Sequence, residues 1–374
     1  MQIDETFVLQ STGLTMLTDI ARQAAGRSDL ALGDWRVTPM AGGLGNPVSA
    51  GLFRVAGDGH AAGESVAWSA VLKVIQSPAN LGHSNLGEGD DVTHWNYWRR
   101  ELVLYRSGFL DTLPDGLSAP RFFGAGELPG DVACLWLQEV GDDDPDGWTL
   151  ARYALAARHL GRLNGAHVGG QPWPQWPWLS RGRLWQWLAT LTLWRTHSWE
   201  HPLVRAYYPP AEVGALRRLL EAHEEFLVLL DSLPQTVSHG DTYPTNFKGR
   251  RSADGREQTV ALDWALTGVC VIGYDLGSLA FGAYLNRPEA GLDEVDDALF
   301  TSYLDGLRDV GCCIDADTVR FAYTTAAALS IGPFQFWMLD LMINQGQTEP
   351  AALARRGFEA AMAERAWALR DKVA

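Results

Sequence analysis

A chain of 374 residues, 47% hydrophobic and without a low-complexity tract or internal repeat, has material for one large or two medium domains with sizeable cores, which excludes a disordered protein. Its formal charge of −15, from 30 Lys and Arg against 45 Asp and Glu, lacks the clustered positive charge that a nucleic-acid backbone demands; it permits a cationic small molecule, although an acidic surface is also ordinary for a soluble protein. The N-terminus MQIDETFVLQ has no basic flank before an apolar run, and the four cysteines, Cys134, Cys270, Cys312 and Cys313, show no metal-ligand spacing and no disulfide framework. The most apolar stretch, Ala326 to Ile343, is interrupted by Gly332, Pro333, Gln335 and Asp340 and suits a buried helix better than a bilayer span. A cytoplasmic protein with neither a membrane nor a nucleic acid as partner is expected, and no oligomeric state is legible.

Leu14, Leu17, Ile20, Ala21 and Ala24 recur at helical spacing and predict a leading helix that ends near Gly26. Trp35 to Met40 reads as a strand, Ala41 to Asn46 (AGGLGN) as a glycine-rich turn, and Val48 to Ala56 as a second strand. Glycine lets backbone amides approach phosphate oxygens, so Gly42, Gly43, Gly45 and Asn46 are candidates to cover a nucleotide; a plain hairpin turn is the alternative. Val66 to Ile75 is an apolar strand with one charge, Lys73, whose ammonium needs a partner if buried and none if it leaves an edge strand for water. His94 to Ser107 has helical spacing, with Trp95, Trp98, Leu102 and Tyr105 on one face and Glu101 within it. Strands near Arg121 to Ala125 and Ala133 to Val140 follow, the second giving way to the acidic turn GDDD.

From Trp148 the pattern turns helical, with Leu150, Ala154, Leu155, Ala157, His159, Leu160 and Leu163 in a long amphipathic run that ends near Gly165 to Gly170. Residues 171–199 hold seven of the sixteen tryptophans. Prolines forbid helix in QPWPQWPW, while Leu184, Trp187, Leu188 and Leu191 predict one from about Arg181. Two readings of the surplus tryptophans stand: packing between helices, or an acceptor pocket that stacks on a sugar or holds a cation. A helix over Ala211 to Leu230 and helices from Asp293 to the C-terminus complete the chain.

The chemistry concentrates between Ser238 and Ala280. His239-Gly240-Asp241, Asn246 and Asp263 follow the order of a catalytic base and two magnesium ligands in a phosphoryl-transfer site. An attacking hydroxyl must be oriented and relieved of its proton, a task for the Asp241 carboxylate, while hard oxygens from Asn246 and Asp263 hold a cation against the phosphates. Pro244 keeps the intervening loop from being helical, and the polar insert Lys248 to Gln258 reads as a hairpin loop that sets the two metal ligands on paired strands. Isolated Asp residues at a turn and a strand end are the alternative.

With these residues the chain resembles the aminoglycoside phosphotransferase and choline kinase-like family, whose pattern is H-G-D-x-x-x-x-N followed by a strand ending in D. Asp263-Trp264 is similar to the family version of the protein-kinase D-F-G triplet, and GYDLGSLA (Gly273 to Ala280) resembles a segment whose Asp, here Asp275, braces the catalytic loop and caps a helix. The resemblance implies an α+β, bilobal protein-kinase-like fold, with a sheet lobe over residues 1–139 and a mostly helical lobe over 140–374. It implies ATP and Mg2+ as cofactors, Glu101 in the R-E-x-x-x-Y-R segment as the ion-pair partner of Lys73, and backbone groups near Glu139 and Val140 as the adenine-reading hinge. The implied activity is transfer of the γ-phosphoryl group to a small-molecule hydroxyl acceptor. Acidity and surplus tryptophan lean towards an aminoglycoside-like or other amine-bearing alcohol; choline, a sugar and an amino-acid hydroxyl stay open, as does a non-catalytic nucleotide-binding regulator.

Overall fold

The computed structural model describes residues 3–42, 48–81, 91–144, 147–168, 176–192, 195, 199–208, 210–252, 254–346 and 357–373. Helix α1 (Glu5–Ala25) opens the chain. Asp4 caps it by accepting from the Phe7 N–H at 3.0 Å, and Gly26 closes it in the left-handed conformation. Gly13, with φ 75°, breaks it in the middle.

Five strands follow: β1 (Ala31–Pro39), β2 (Ser49–Ala61), β3 (Glu64–Gln76), β5 (Phe122–Leu128) and β6 (Val132–Gln138) form one antiparallel sheet in the order β1-β2-β3-β6-β5. Both faces are buried, which explains why β3 and β6 read as nearly continuous apolar runs. Trp68, Ala70, Leu72 and Val74 of β3, with Cys134 and Trp136 of β6, pack under α1. The alternate residues Val71 and Ile75, with Ala133, Leu135 and Leu137, face the other way, onto helix α2 (Arg100–Arg106). Lys73 belongs to this second set. A one-residue slip of β3 would drive its ammonium into the α1 core, so burial on both sides fixes the register.

The predicted helix over 94–107 forms only from Arg100. The buried Arg100 guanidinium donates to the carbonyls of Val92, His94 and Trp95, and the Trp95 N–H bonds to Gln186 Oε1 at 2.7 Å, so the first turns are held open by bonds that compete with helix.

The second lobe holds helices α3 (Leu150–Ala166), α4 (Arg183–Thr190), α5 (Pro202–Tyr207), α6 (Pro210–Glu221), α7 (His223–Ser232), α8 (Tyr274–Asn286), α9 (Leu292–Asp309), α10 (Ala316–Asn344) and α11 (Phe358–Val373) around one large core. The predicted single helix over 211–230 is two: the His223 ring engages the Leu220 carbonyl at the junction, and Ala222 leaves the helical conformation. By length and composition α10 passes for a membrane-crossing helix, yet 61% of its most apolar window is buried inside the fold. Short strands complete the lobe. The two-residue β4 (Leu117–Ser118) runs parallel to β9 (Glu257–Ala261), which pairs antiparallel with β8 (Phe247–Arg251); β7 (Gln235–Ser238) pairs antiparallel with β10 (Gly268–Val271). The sheet lobe and the helical lobe together make a bilobal kinase-like fold of the α+β class.

Candidate active site

Lys73 Nζ lies 2.5 Å from Glu101 Oε2 and 2.7 Å from Asp263 Oδ1. Burial disfavours its charge, but the carboxylates of Asp263 and Glu101 outweigh that and push the lysine pKa up. Glu101 is only 1% exposed, and its other oxygen accepts from the Trp264 N–H at 3.2 Å. The surface alternative for this glutamate is not realised: Arg99 pairs with Glu127 and Asp131, and Arg106 with Glu127. One side chain of α2 therefore ties the sheet lysine to the backbone that follows Asp263.

The catalytic-loop segment leaves β7 at Ser238. Its next two amides, His239 N–H and Gly240 N–H, each donate at 2.9 Å to the two oxygens of Asp275, a buried residue in the first turn of α8. Asp275 braces the loop but does not cap the helix; the N-cap position is Gly273. Behind Asp275, Asn164 of α3 donates to it at 3.1 Å and accepts from Tyr303, whose hydroxyl in turn accepts from the Gly273 N–H. The His239 ring bridges the two halves of the site, since its Nε2 donates to the Leu262 carbonyl at 2.9 Å while Nδ1 accepts from the Asp241 N–H at 3.2 Å. Burial lowers its pKa, which keeps the ring neutral and this tautomer in place. Gly240 has φ 86°, and a Cβ there would lie 2.2 Å from the Leu266 carbonyl oxygen, so only glycine fits.

Asp241 comes out of this frame half-buried. Burial first, then the charge of Asp263, pushes its pKa up to about 6, against the opposing pull of Arg183, Asn246 and Lys73. Asn246 Nδ2 donates to the Asp241 carbonyl at 3.0 Å, which leaves the amide oxygen as its cation donor. Asp263 stands two residues past β9 with φ 55°, a left-handed conformation that Asp tolerates better than most residues. The Leu262 N–H donates to the Asn246 carbonyl at 2.7 Å, extending the hairpin ladder so that both candidate ligands sit side by side beyond the strand ends. Lys73 holds the Asp263 carboxyl below its usual range although burial opposes this.

The donor set fits magnesium. Among the described residues no group of three or more His, Cys, Asp or Glu side chains could hold a metal by themselves. One carboxylate and one amide oxygen are what a hexacoordinate Mg2+ takes from protein when phosphates and water fill its remaining positions.

Lys73, Glu101, Asp241, Asn246 and Asp263 are thus brought together. Gly42 lies at the exposed end of the first hairpin with φ 134°; Gly43, Gly45 and Asn46 lie outside the described residues. Glu139 and Val140 follow β6 directly. The Glu139 carboxylate is bonded to Arg54 Nε at 2.8 Å, which commits its side chain elsewhere and leaves only backbone for any nucleotide contact. The acidic turn after them is fastened to the β8–β9 hairpin: Asp142 accepts from the Gly249 N–H and from Trp148 Nε1, and Asp143 accepts from the Arg251 N–H.

Sequence reasoning missed Asn164, Tyr303 and Arg183. The last is buried and packs against Trp95 and Tyr274, with its guanidinium on the Leu266 carbonyl and beside Gly240. A polar Asn among Leu160, Leu163 and Gly161 on the buried face of α3 was the one available signal; Arg183 and Tyr303 left none. Among the tryptophans of 171–199, Trp176 stacks on Trp178, Trp187 packs edge-on to Trp95 and bonds the Ser330 carbonyl, and Trp185 bonds Asp231. Trp173 and Trp194 lie outside the described residues.

No family model matches the chain, and no curated protein matches it at the sequence level. Solved structures do match. The choline kinase of Cryptosporidium parvum Iowa II superposes with a TM-score of 0.52 at 12% identity, over 96% of this chain and 94% of that one. Amicoumacin kinase hAmiN in complex with AMP-PNP, Ca2+ and Ami gives 0.48 at 14% identity, over 90% and 88%. The aminoglycoside phosphotransferase APH(3'')-Id of Streptomyces rimosus, in complex with ADP and streptomycin, gives 0.43 at 17%, over 85% and 98%. The chain has the kinase-like fold, in the form seen in a small-molecule kinase. The choline kinase match spans nearly the full length of both proteins and carries that statement.

Proposed function

We propose that the protein is an ATP-dependent phosphotransferase acting on a small-molecule hydroxyl, with an amine-bearing alcohol as acceptor. One observation supports this above all: side chains from four separate segments meet at one place, Glu101–Lys73–Asp263 joined by ion pairs, with Asp241 beside them and Asn246 bonded to the Asp241 backbone carbonyl. Each has the chemical type its place requires.

Asp241 accepts the hydroxyl proton and orients the oxygen. Its pKa of about 6 leaves it ionised at neutral pH yet basic enough to take a proton. Lys73, charged and held by Glu101, exchanges Asp263 for phosphate oxygens. Asp263 and Asn246 would hold Mg2+, which when bound would neutralise the phosphates and let the acceptor approach them. Glu101, Asp275 and His239 touch no reacting atom; they keep Lys73, the catalytic loop and the strand after it in register.

The test is ADP release from magnesium-ATP with aminoglycosides, choline, amino sugars, neutral sugars and hydroxy amino acids, with Asp241→Ala as control. Turnover in one acceptor class that falls by about 10²- to 10⁴-fold in the control is the expected outcome. Bound ATP with no acceptor turned over, or a control as active as the wild type, would count against the reading.

A further inference from the structure

Arg183, the first residue of α4, belongs to none of the sequence motifs, yet its guanidinium lies against the catalytic loop. Its Nη1 donates to the Leu266 carbonyl at 3.1 Å and stands 2.9 Å from the point that a Cβ on Gly240 would occupy. The arginine and the Leu266 carbonyl thus fill the space beside the residue that precedes Asp241. The guanidinium carbon lies 5.5 Å from the centre of the Tyr274 ring of α8 and 5.8 Å from that of Trp95, in the stretch before α2. Arg100 of α2 reaches the same turn from the other lobe, its Nη1 donating to the Ala265 carbonyl at 3.3 Å. Guanidinium groups from two helices hold adjacent carbonyls of the turn after Asp263, although the charge of Arg183 disfavours that of Arg100.

A buried positive charge is costly and has to be answered. Arg183 is 8% exposed, and among the described residues no Asp or Glu makes an ion pair with it. Of the groups that act most on its charge, Tyr274 and Cys270 are neutral at physiological pH, because burial raises both, the thiol up to about 12; the next is Asp241. An apolar residue would fill this place at lower cost, and a lysine would lack the planar fork that bonds a carbonyl and stacks on rings at once. What the arginine adds is a fixed positive charge at the turn from which Asp241 projects.

We propose that Arg183 is a positioning residue for the base: by clamping Gly240 against the Leu266 carbonyl and attracting the Asp241 carboxylate, it fixes the direction in which that carboxylate meets the acceptor hydroxyl. The acceptor in this statement rests on the phosphotransferase reading; the clamp does not. Its task differs from that of Asp275. Asp275 holds the amides of His239 and Gly240, whereas the Asp241 amide is bonded to His239 Nδ1 at 3.2 Å and depends on the turn that Arg183 closes.

Arg183→Met keeps the apolar bulk and removes the fork and the charge. Amide exchange followed by NMR tests the clamp without any chemistry. Exchange at Asp241 is expected to quicken about tenfold or more in Arg183→Met, while the His239 and Gly240 amides keep their protection. Unchanged exchange at Asp241, or equal loss of protection at all three amides, overturns the proposal. Should Arg183→Met fail to fold, Arg183→Lys, which keeps the charge and loses the fork, takes its place with an expected change of about threefold, and the same two results are fatal.

Turnover separates this proposal from the one it builds on. In Arg183→Met, kcat should fall by about tenfold or more with KM for ATP within about twofold of the wild type, and Arg183→Lys should recover part of the loss. Added to Asp241→Ala, the same substitution should cost less than about twofold, since a residue that acts through Asp241 has nothing left to aim. An unchanged kcat, a loss that appears in KM for ATP instead, or a loss as large without Asp241 as with it retains the kinase and discards the role of Arg183. If the wild type phosphorylates no acceptor while exchange at Asp241 responds as expected, the clamp stands and the phosphotransferase reading falls.

Discussion

Glu101 and Glu359 occupy matching places, each the second residue of a helix and each shut away from water, at 1% and 0% exposure. A negative charge in a first helical turn is favoured by the peptide dipoles in both cases. Their partners differ. Glu101 meets a lysine at 2.5 Å and a backbone amide at 3.2 Å, whereas the Glu359 carboxylate meets the neutral phenol hydroxyls of Tyr208 and Tyr207. Helix position makes a buried carboxylate tolerable, but its role is set by what another segment brings to it. The first answers a buried charge with a charge; the second is answered only by neutral hydroxyls.

Breaking the charged pair should have the largest effect. Glu101→Ala removes one of the two carboxylates on a buried lysine and is expected to cost about 3–5 kcal/mol in urea unfolding, together with most activity, because Lys73 loses its support. A middle-sized effect concerns the third carboxylate, Asp241. Its proton must be off for it to act as base and its pKa is about 6, so kcat/KM should be level above that pH and fall roughly tenfold per unit below it. A pH profile without an acid limb near that value would remove Asp241 from the proton transfer. The smallest effect belongs to Glu359→Gln, expected within about 1–2 kcal/mol and in the stabilising direction. Burial raises the Glu359 pKa, so the folded state disfavours its ionised form, and native stability contributed by the protonated acid is lost as pH rises from the ordinary carboxylate range through the raised value. The advantage of Gln should therefore grow with pH; melts at acid and neutral pH that shift equally for both proteins would contradict this.

The sequence was most readable where chemistry fixes residue type at short spacing. Asp241, Asn246 and Asp263 are the residue types that the proposed base and hard donors require whatever surrounds them, and Lys73 announced itself as the lone charge in an apolar strand. Alternation in β3 carried the sheet in the same way. Less was legible where a local pattern is overruled from afar. Arg100 draws three carbonyls out of the helical pattern ahead of it, and Asp275 looks like a helix cap until the amides of His239 and Gly240, 36 and 35 residues upstream, claim its oxygens. Asn164 and Tyr303 make their bonds across 139 residues of chain, and Glu359 acquires meaning only beside Tyr208, 151 residues away.

The fastening of the acidic turn to the β8–β9 hairpin has a mechanical consequence. Asn246 and Asp263 sit at the two ends of that hairpin, and Asp142 and Asp143 bolt its middle to the stretch of chain that links the lobes. Rotation of the sheet lobe about residues 139–141 would therefore leave the spacing of Asn246 and Asp263 unchanged. Such a rotation would instead shift Lys73 and Glu101 together against Asp263 and the Trp264 amide, the groups they hold on the other lobe.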